Sequence, residues 1–229
     1  MRNKMKKDDI KLIINYLKRF VRDPFSKESF YRFFRYFSLS VGLVWEKIRG
    51  VDYNIPVYTK NESSHNSVYT KIPKYVIKKI CEDVQKHNYG KSFMDIGVGK
   101  GYSIKIASKY NFTKVGGIEY SKNLYQTCKR NLLKERIDTE YIYNIDAQLF
   151  DDYGMFDIFY MNNPFDDTII DVVAKKIFES HKDNKCYIYY INPNPIIREE
   201  TIIKNGFKLI KVFEDKRESY FTFKLFCNK

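Results

Sequence analysis

Phe93-Met94-Asp95-Ile96-Gly97-Val98-Gly99-Lys100-Gly101 reads as a buried strand running into a glycine turn, with Tyr102 opening a helix directly after it. Glycines at the C-terminal end of such a strand let the backbone approach a ligand closely, and open α/β sheets bind their ligands along that edge. Asp95, just ahead of the glycines, suits a ligand that brings hydrogen-bond donors. The dinucleotide fingerprint G-x-G-x-x-G would need glycine at position 102, where this chain has Tyr102, so the pattern is D-x-G-x-G-x-G instead.

From Pro73 onward, helices alternate with apolar strands. The pattern predicts a helix over 73–87, strand SFMDIG, a helix over 102–110, strand KVGGIEY, a helix over 121–136, strand EYIYNID and strand FDIFYMN. A helix over 167–181, strand CYIYYIN, a helix near 196–205 and the strands FKLIKVFE and SYFTFKLF complete the series. This alternation argues for a mainly parallel sheet with helices on both faces. The last two strands are separated only by a turn around Asp215 to Glu218, so they are expected to form an antiparallel hairpin at one end of the sheet.

Two further acids strengthen the ligand reading. Glu119 ends the second strand eighteen residues after Gly101, where a carboxylate can accept from both hydroxyls of a ribose. Asp146, followed by Ala147, is expected to end the third strand, in position to accept from an adenine amino group. Taken singly, each acid is also what a helix cap or a solvated loop would use; three at successive strand ends point to a nucleoside.

These residues resemble the class I S-adenosylmethionine-dependent methyltransferases over roughly residues 66 to 227. Asp95 to Gly101 looks like their first motif, Glu119 with Tyr120 their ribose-binding position, and Asp146-Ala147 their adenine-contacting pair. The resemblance implies a Rossmann-like fold with a seven-stranded, mostly parallel sheet closed by the antiparallel hairpin, S-adenosylmethionine as cofactor and S-adenosylhomocysteine as product. More narrowly, HNSVYTKIPKYVIKKI, FMDIGVGKGYSIKIAS, GIEYS and FYMNNPF are similar to a bacterial group reading approximately Y-x-P, D-x-G-S-G-K-G-R, G-x-E and N-P-F at these places, with Tyr102 standing where that group has arginine.

The same resemblance puts the reaction centre at Met161-Asn162-Asn163-Pro164-Phe165. Amino-methylating relatives hold the target nitrogen with a related Asn-Pro-Pro-Tyr/Phe motif, and the Asn-Asn-Phe segment of nucleosomal lysine methyltransferases is also similar. Asn162, Asn163, Pro164 and Phe165 are therefore expected to position acceptor and methyl group, with Asn162 also touching the cofactor. For Asn163 a turn bonding its own backbone is the plainer alternative. Tyr69 and Thr70 would fold over the cofactor, or simply lead into the helix begun at Pro73. Displacement at an activated sulfonium needs alignment and exclusion of water more than a dedicated base, and Asp166, Asp167 and Tyr69 are the groups near enough in sequence to supply one.

Composition bounds the rest. The chain has 229 residues, enough for one catalytic domain over 66–229 with a helical extension and lid loop over 1–65. Helices are expected over 8–22 and from about Ser26, with a long ordered loop from Gly50 to Ile72. Cys81, Cys128, Cys186 and Cys227 form no C-x-x-C pair, and His65, His87 and His181 lack ligand spacing, so no metal is expected. The opening segment lacks a signal peptide and no apolar stretch approaches a membrane span, which reads as a cytoplasmic protein. The net charge of +13 would suit an anionic partner, but the charge is scattered, so nucleic acid is not favoured over a small metabolite or glycan precursor as methyl acceptor. The aromatic, basic run from Phe25 to Trp45 leaves peripheral membrane contact open beside packing on the catalytic domain. A protein lysine or RNA acceptor, or a cofactor-binding protein without catalysis, are the alternatives.

Overall fold

The computed structural model describes residues 41–54, 69, 71–163, 165–191, 196–214 and 222–229. The chain forms two compact units, Met1–Ile55 and Pro56–Lys229. In the first, helix α1 covers 41–49. Its Glu46 carboxylate turns back to accept the amides of Tyr53 and Asn54, both at 3.0 Å, closing the chain after the helix. The helices expected from residue 8 and from Ser26 lie outside the described residues, as does most of the expected lid loop.

The second unit runs α2 (Lys74–His87), β1 (Ser92–Ile96), α3 (Tyr102–Ala107), β2 (Lys114–Ile118), α4 (Lys122–Lys134), β3 (Ile142–Tyr143) and β4 (Ile158–Asn162). It closes with α5 (Asp167–Ser180), β5 (Tyr187–Ile191), α6 (Ile196–Lys204), β6 (Lys208–Glu214) and β7 (Thr222–Cys227). The seven strands form one sheet in the order β3-β2-β1-β4-β5-β7-β6. The first five are parallel; β7 lies antiparallel between β5 and β6, as the absence of a crossover helix between the last two strands requires.

Strands buried on both faces read as continuous apolar runs, and β1 and β5 are buried at every position. Alternate side chains feed two cores. Phe93, Ile158, Tyr160 and Tyr189 face α2, α3 and α4, while Met94, Phe159, Met161 and Ile188 face α5 and α6. Helix α2 turns Val76, Ile77, Ile80 and Val84 inward and leaves Lys74, Lys78, Lys79 and Lys86 outward. Its one buried acid, Asp83, accepts from the Tyr189 hydroxyl at 2.8 Å and from Lys211 at 2.6 Å, tying β5 and β6 to the helix.

Two expected elements are shorter in the structure. Helix α3 stops at Ala107 and tapers through tighter turns, Lys109 N to Ile106 O and Tyr110 N to Ala107 O, because the chain must reverse to enter β2. Strand β3 pairs over only Ile142 and Tyr143, since the carbonyls of Glu119 and Tyr120 beyond that point are taken by the Asn144 side chain at 2.8 and 3.0 Å. The turn around Asp215 to Glu218 lies outside the described residues.

Candidate cofactor and acceptor site

The glycine turn leaves β1 at Ile96 and is pinned to β2: the amides of Gly97 and Val98 both donate to Ile118 O at 2.9 Å. Gly101 caps α3 at φ 85°, and a Cβ there would stand 2.7 Å from Cys128 Sγ, so the helix can pack this closely only on glycine. Gly99 has φ 55°, and a Cβ on it would meet Tyr69 Cδ2 at 2.4 Å. The Tyr69 ring thus lies directly on the turn. Thr70 and Pro164 lie outside the described residues.

The three acids share one edge of the sheet by different means. Asp95 sits within β1, opposite Gly117 of β2 and Tyr160 of β4, and is buried. One of its oxygens, Oδ2, accepts from the Ser103 hydroxyl; the other, Oδ1, is buried and has no hydrogen-bond partner. Burial pushes the carboxyl up to about 7, with the Ser103 bond opposing and the nearby Glu119 charge adding. Glu119 follows β2 directly and spans the turn: Oε2 accepts Gly99 N at 2.8 Å and Oε1 accepts Ser121 N at 2.9 Å. Glu119 thus ties the glycine turn to the start of α4. Asp146 does not end a strand, contrary to expectation. It stands three residues past β3 and caps a single 3-10 turn, Ala147–Leu149, through Gln148 N at 2.9 Å.

Tyr120 is exposed beside Glu119, and Ala147 is buried with its carbonyl accepting the Tyr153 hydroxyl at 2.7 Å. Asn162 ends β4 beside Ile191 of β5. Asn163 follows with φ 45°, the left-handed region that asparagine tolerates better than most side chains. Phe165 is packed into the core over β4 and α5. Asp166 is committed to capping α5: Oδ1 accepts Thr168 N at 3.1 Å, Ile169 N at 3.3 Å and the Thr168 hydroxyl at 2.7 Å.

Four contributors escaped the sequence reading. Ser103 holds Asp95, Asn144 fixes the Glu119–Tyr120 peptides, and Asn131 donates to Lys100 O at 3.0 Å, locking the turn from α4. Lys100 itself is buried, with its ammonium 5.4 Å from the Tyr69 ring centroid. Only Asn144 left a sequence signal, as a polar residue between apolar ones in YIYNID. Among the described residues no cluster of three His, Cys, Asp or Glu side chains could hold a metal ion, and no helix is long and apolar enough to cross a membrane.

A family model described as protein-L-isoaspartate (D-aspartate) O-methyltransferase matches residues 51–183, more than half of the chain. The chain belongs to this family. It is an S-adenosylmethionine-dependent methyltransferase. No curated protein matches it by sequence. Solved structures agree on the fold. An S-adenosylmethionine-dependent methyltransferase from Clostridium acetobutylicum superposes with TM-score 0.54 at 9% identity, over 81% of this chain and 96% of that one. A ribosomal protein methylase from Lactobacillus delbrueckii subsp. bulgaricus gives 0.52 at 14%, over 68% and 79%. Magnesium protoporphyrin IX methyltransferase from Synechocystis, with its cofactor bound, gives 0.51 at 12%, over 67% and 77%. The methyltransferase's own residues fit that cofactor: a buried carboxylate oxygen lacking a donor stands near the end of β1 beside a turn whose glycines adopt positive φ.

Proposed function

We propose that this methyltransferase acts on a small metabolite or glycan precursor whose reacting atom is already nucleophilic at neutral pH, a carboxylate oxygen or an uncharged amine. The observation that carries this reading is Asp166. The carboxylate next to the asparagine motif spends its Oδ1 on the first turn of α5, and taking a proton from an alcohol would neutralise the charge that strengthens that cap. The family's printed activity, O-methylation of protein L-isoaspartate (D-aspartate), and the net charge of +13 both favour a carboxylate as the acceptor group.

In this reading Asp95, the glycine turn, Glu119, Tyr120, Asp146 and Ala147 hold the cofactor, Tyr69 covers it, and Asn162 and Asn163 face the acceptor, with Phe165 packed in the core beneath them rather than stacked on the substrate. Bound there, S-adenosylmethionine supplies a methyl group activated by its sulfonium. Asn163, held at φ 45°, directs its side chain from a backbone geometry that an extended residue could not reach. Tyr69 excludes water from the turn. The test is transfer of labelled methyl from S-adenosylmethionine to panels of carboxylates, amines and alcohols. Label released as methanol by mild alkali marks a methyl ester, alkali-stable label on an amine marks nitrogen, and a stable ether on an alcohol overturns the reading.

Cofactor affinity should depend on pH through Asp95. Its folded value of about 7 lies above the ordinary 3.8, so in the free protein this group loses stability as pH rises between those values. A ligand donor against Oδ1 favours the ionised form and reverses the sign. Affinity is expected to be roughly tenfold weaker at pH 6 than on the plateau above the titration. Calorimetric titration at several pH values checks this, and an Asp95→Asn protein should bind weakly with a flat profile.

A further inference from the structure

We infer that α1 is a docking surface for an anionic lipid bilayer. Helix α1 is amphipathic the wrong way round for a helix packed on its own domain. Val41, Val44, Trp45 and Ile48 recur at the spacing of a single helical stripe, and all four are exposed, Trp45 at 56% and Ile48 at 72%. The opposite side carries Glu46, whose carboxylate is turned inward onto the amides of Tyr53 and Asn54. The segment also has a buried part: Val51 and Tyr53, just after the helix, are covered while the stripe is not.

Charge selects the occupant. Residues 1–55 carry thirteen Lys and Arg against six Asp and Glu. On α1 itself the acid is taken up by the turn, while Arg49 lies with its guanidinium 5.9 Å from the Trp45 ring centroid. An indole with a cation beside it, above aliphatic side chains, matches the headgroup boundary of a membrane that bears negative charge. A second copy fits less well. Four side chains cover much less than the ~800 Å² per partner of a stable interface, and two such units would bring like charges together. No described helix is long enough to cross a bilayer, so α1 would lie in the interface. The inference is independent of the acceptor reading.

Trp45 is the only tryptophan, so its emission reports this face directly in the intact protein. Vesicles of phosphatidylcholine with about 30 mol % phosphatidylglycerol should shift that emission to the blue and carry the protein down on sedimentation. Ile48→Asp and Val44→Asp should each weaken vesicle binding about tenfold or more while S-adenosylmethionine affinity stays unchanged. Unshifted emission with the protein left in the supernatant overturns the inference, and so does equal binding to phosphatidylcholine alone. Self-association without lipid that Ile48→Asp abolishes overturns it too, and assigns the face to a second copy.

Discussion

Gly99→Arg is expected to leave a folded protein that binds no measurable S-adenosylmethionine, a loss of more than about a hundredfold. The position is constrained twice. At φ 55° any side chain pays about 1–2 kcal/mol for the left-handed backbone, and the first carbon of that side chain would stand 2.4 Å from the Tyr69 ring. The ring must therefore leave the turn, and the guanidinium is then carried over the surface of the turn where the cofactor would lie. Gly99→Ala separates these contributions, since it displaces Tyr69 without filling the site; a loss nearer tenfold is expected. Gly206→Ala serves as the control. A Cβ there meets Phe178 at 2.5 Å, at the start of β6 and so at the sheet edge opposite the glycine turn. It should lower the melting temperature and leave cofactor affinity intact. Calorimetric titration beside thermal melts distinguishes the outcomes, and full affinity in Gly99→Arg would remove the glycine turn from the cofactor site.

The largest loss of stability is expected from Phe159→Ala, about 3–5 kcal/mol, a large share of the ~5–15 kcal/mol that holds a domain together. Phe159 lies on β4 at the middle of the sheet, paired with Met94 of β1 and Ile188 of β5. Its ring is fully buried and meets Tyr153 and His181 edge-on, with centroids 5.9 and 5.6 Å away. Truncation would leave a cavity bounded by rigid strands and by His181, whose ring nitrogens lie 2.8 Å from the carbonyl oxygens of Ile177 and Phe156. Such a site cannot collapse to recover the lost contacts. Urea unfolding followed by circular dichroism measures the change, because Trp45 reports the other unit. Phe159→Leu should cost markedly less.

How much of this was legible varies with the range of the interaction. Every strand of the sheet was expected within a few residues, because two-residue and 3.6-residue periodicities are written locally. The failures are equally physical. Strand β3 was read as running to Asp146 because YIYNID alternates, but a strand is as long as its partner allows, and Asn144 reaches across 25 residues to take the Glu119 carbonyl. Asp146 consequently became a turn cap. Asp166 and Asp167 looked alike as possible bases; only the folded chain separates them, by giving Asp166 the start of α5.

The sequence by itself determined the fold class, a nucleoside-binding edge and the position of the glycine turn, because each rests on short-range pattern: apolar periodicity, an acid before spaced glycines, a second acid one strand later; its resemblance to the methyltransferases implied the cofactor. Tertiary structure alone decided what those groups do to one another. It placed Tyr69 on Gly99 from thirty residues away, gave Glu119 the task of joining turn to helix, and buried Asp95 with one oxygen satisfied and one not. Burial, desolvation and close approach belong to pairs of residues distant in the chain, and no local pattern encodes them.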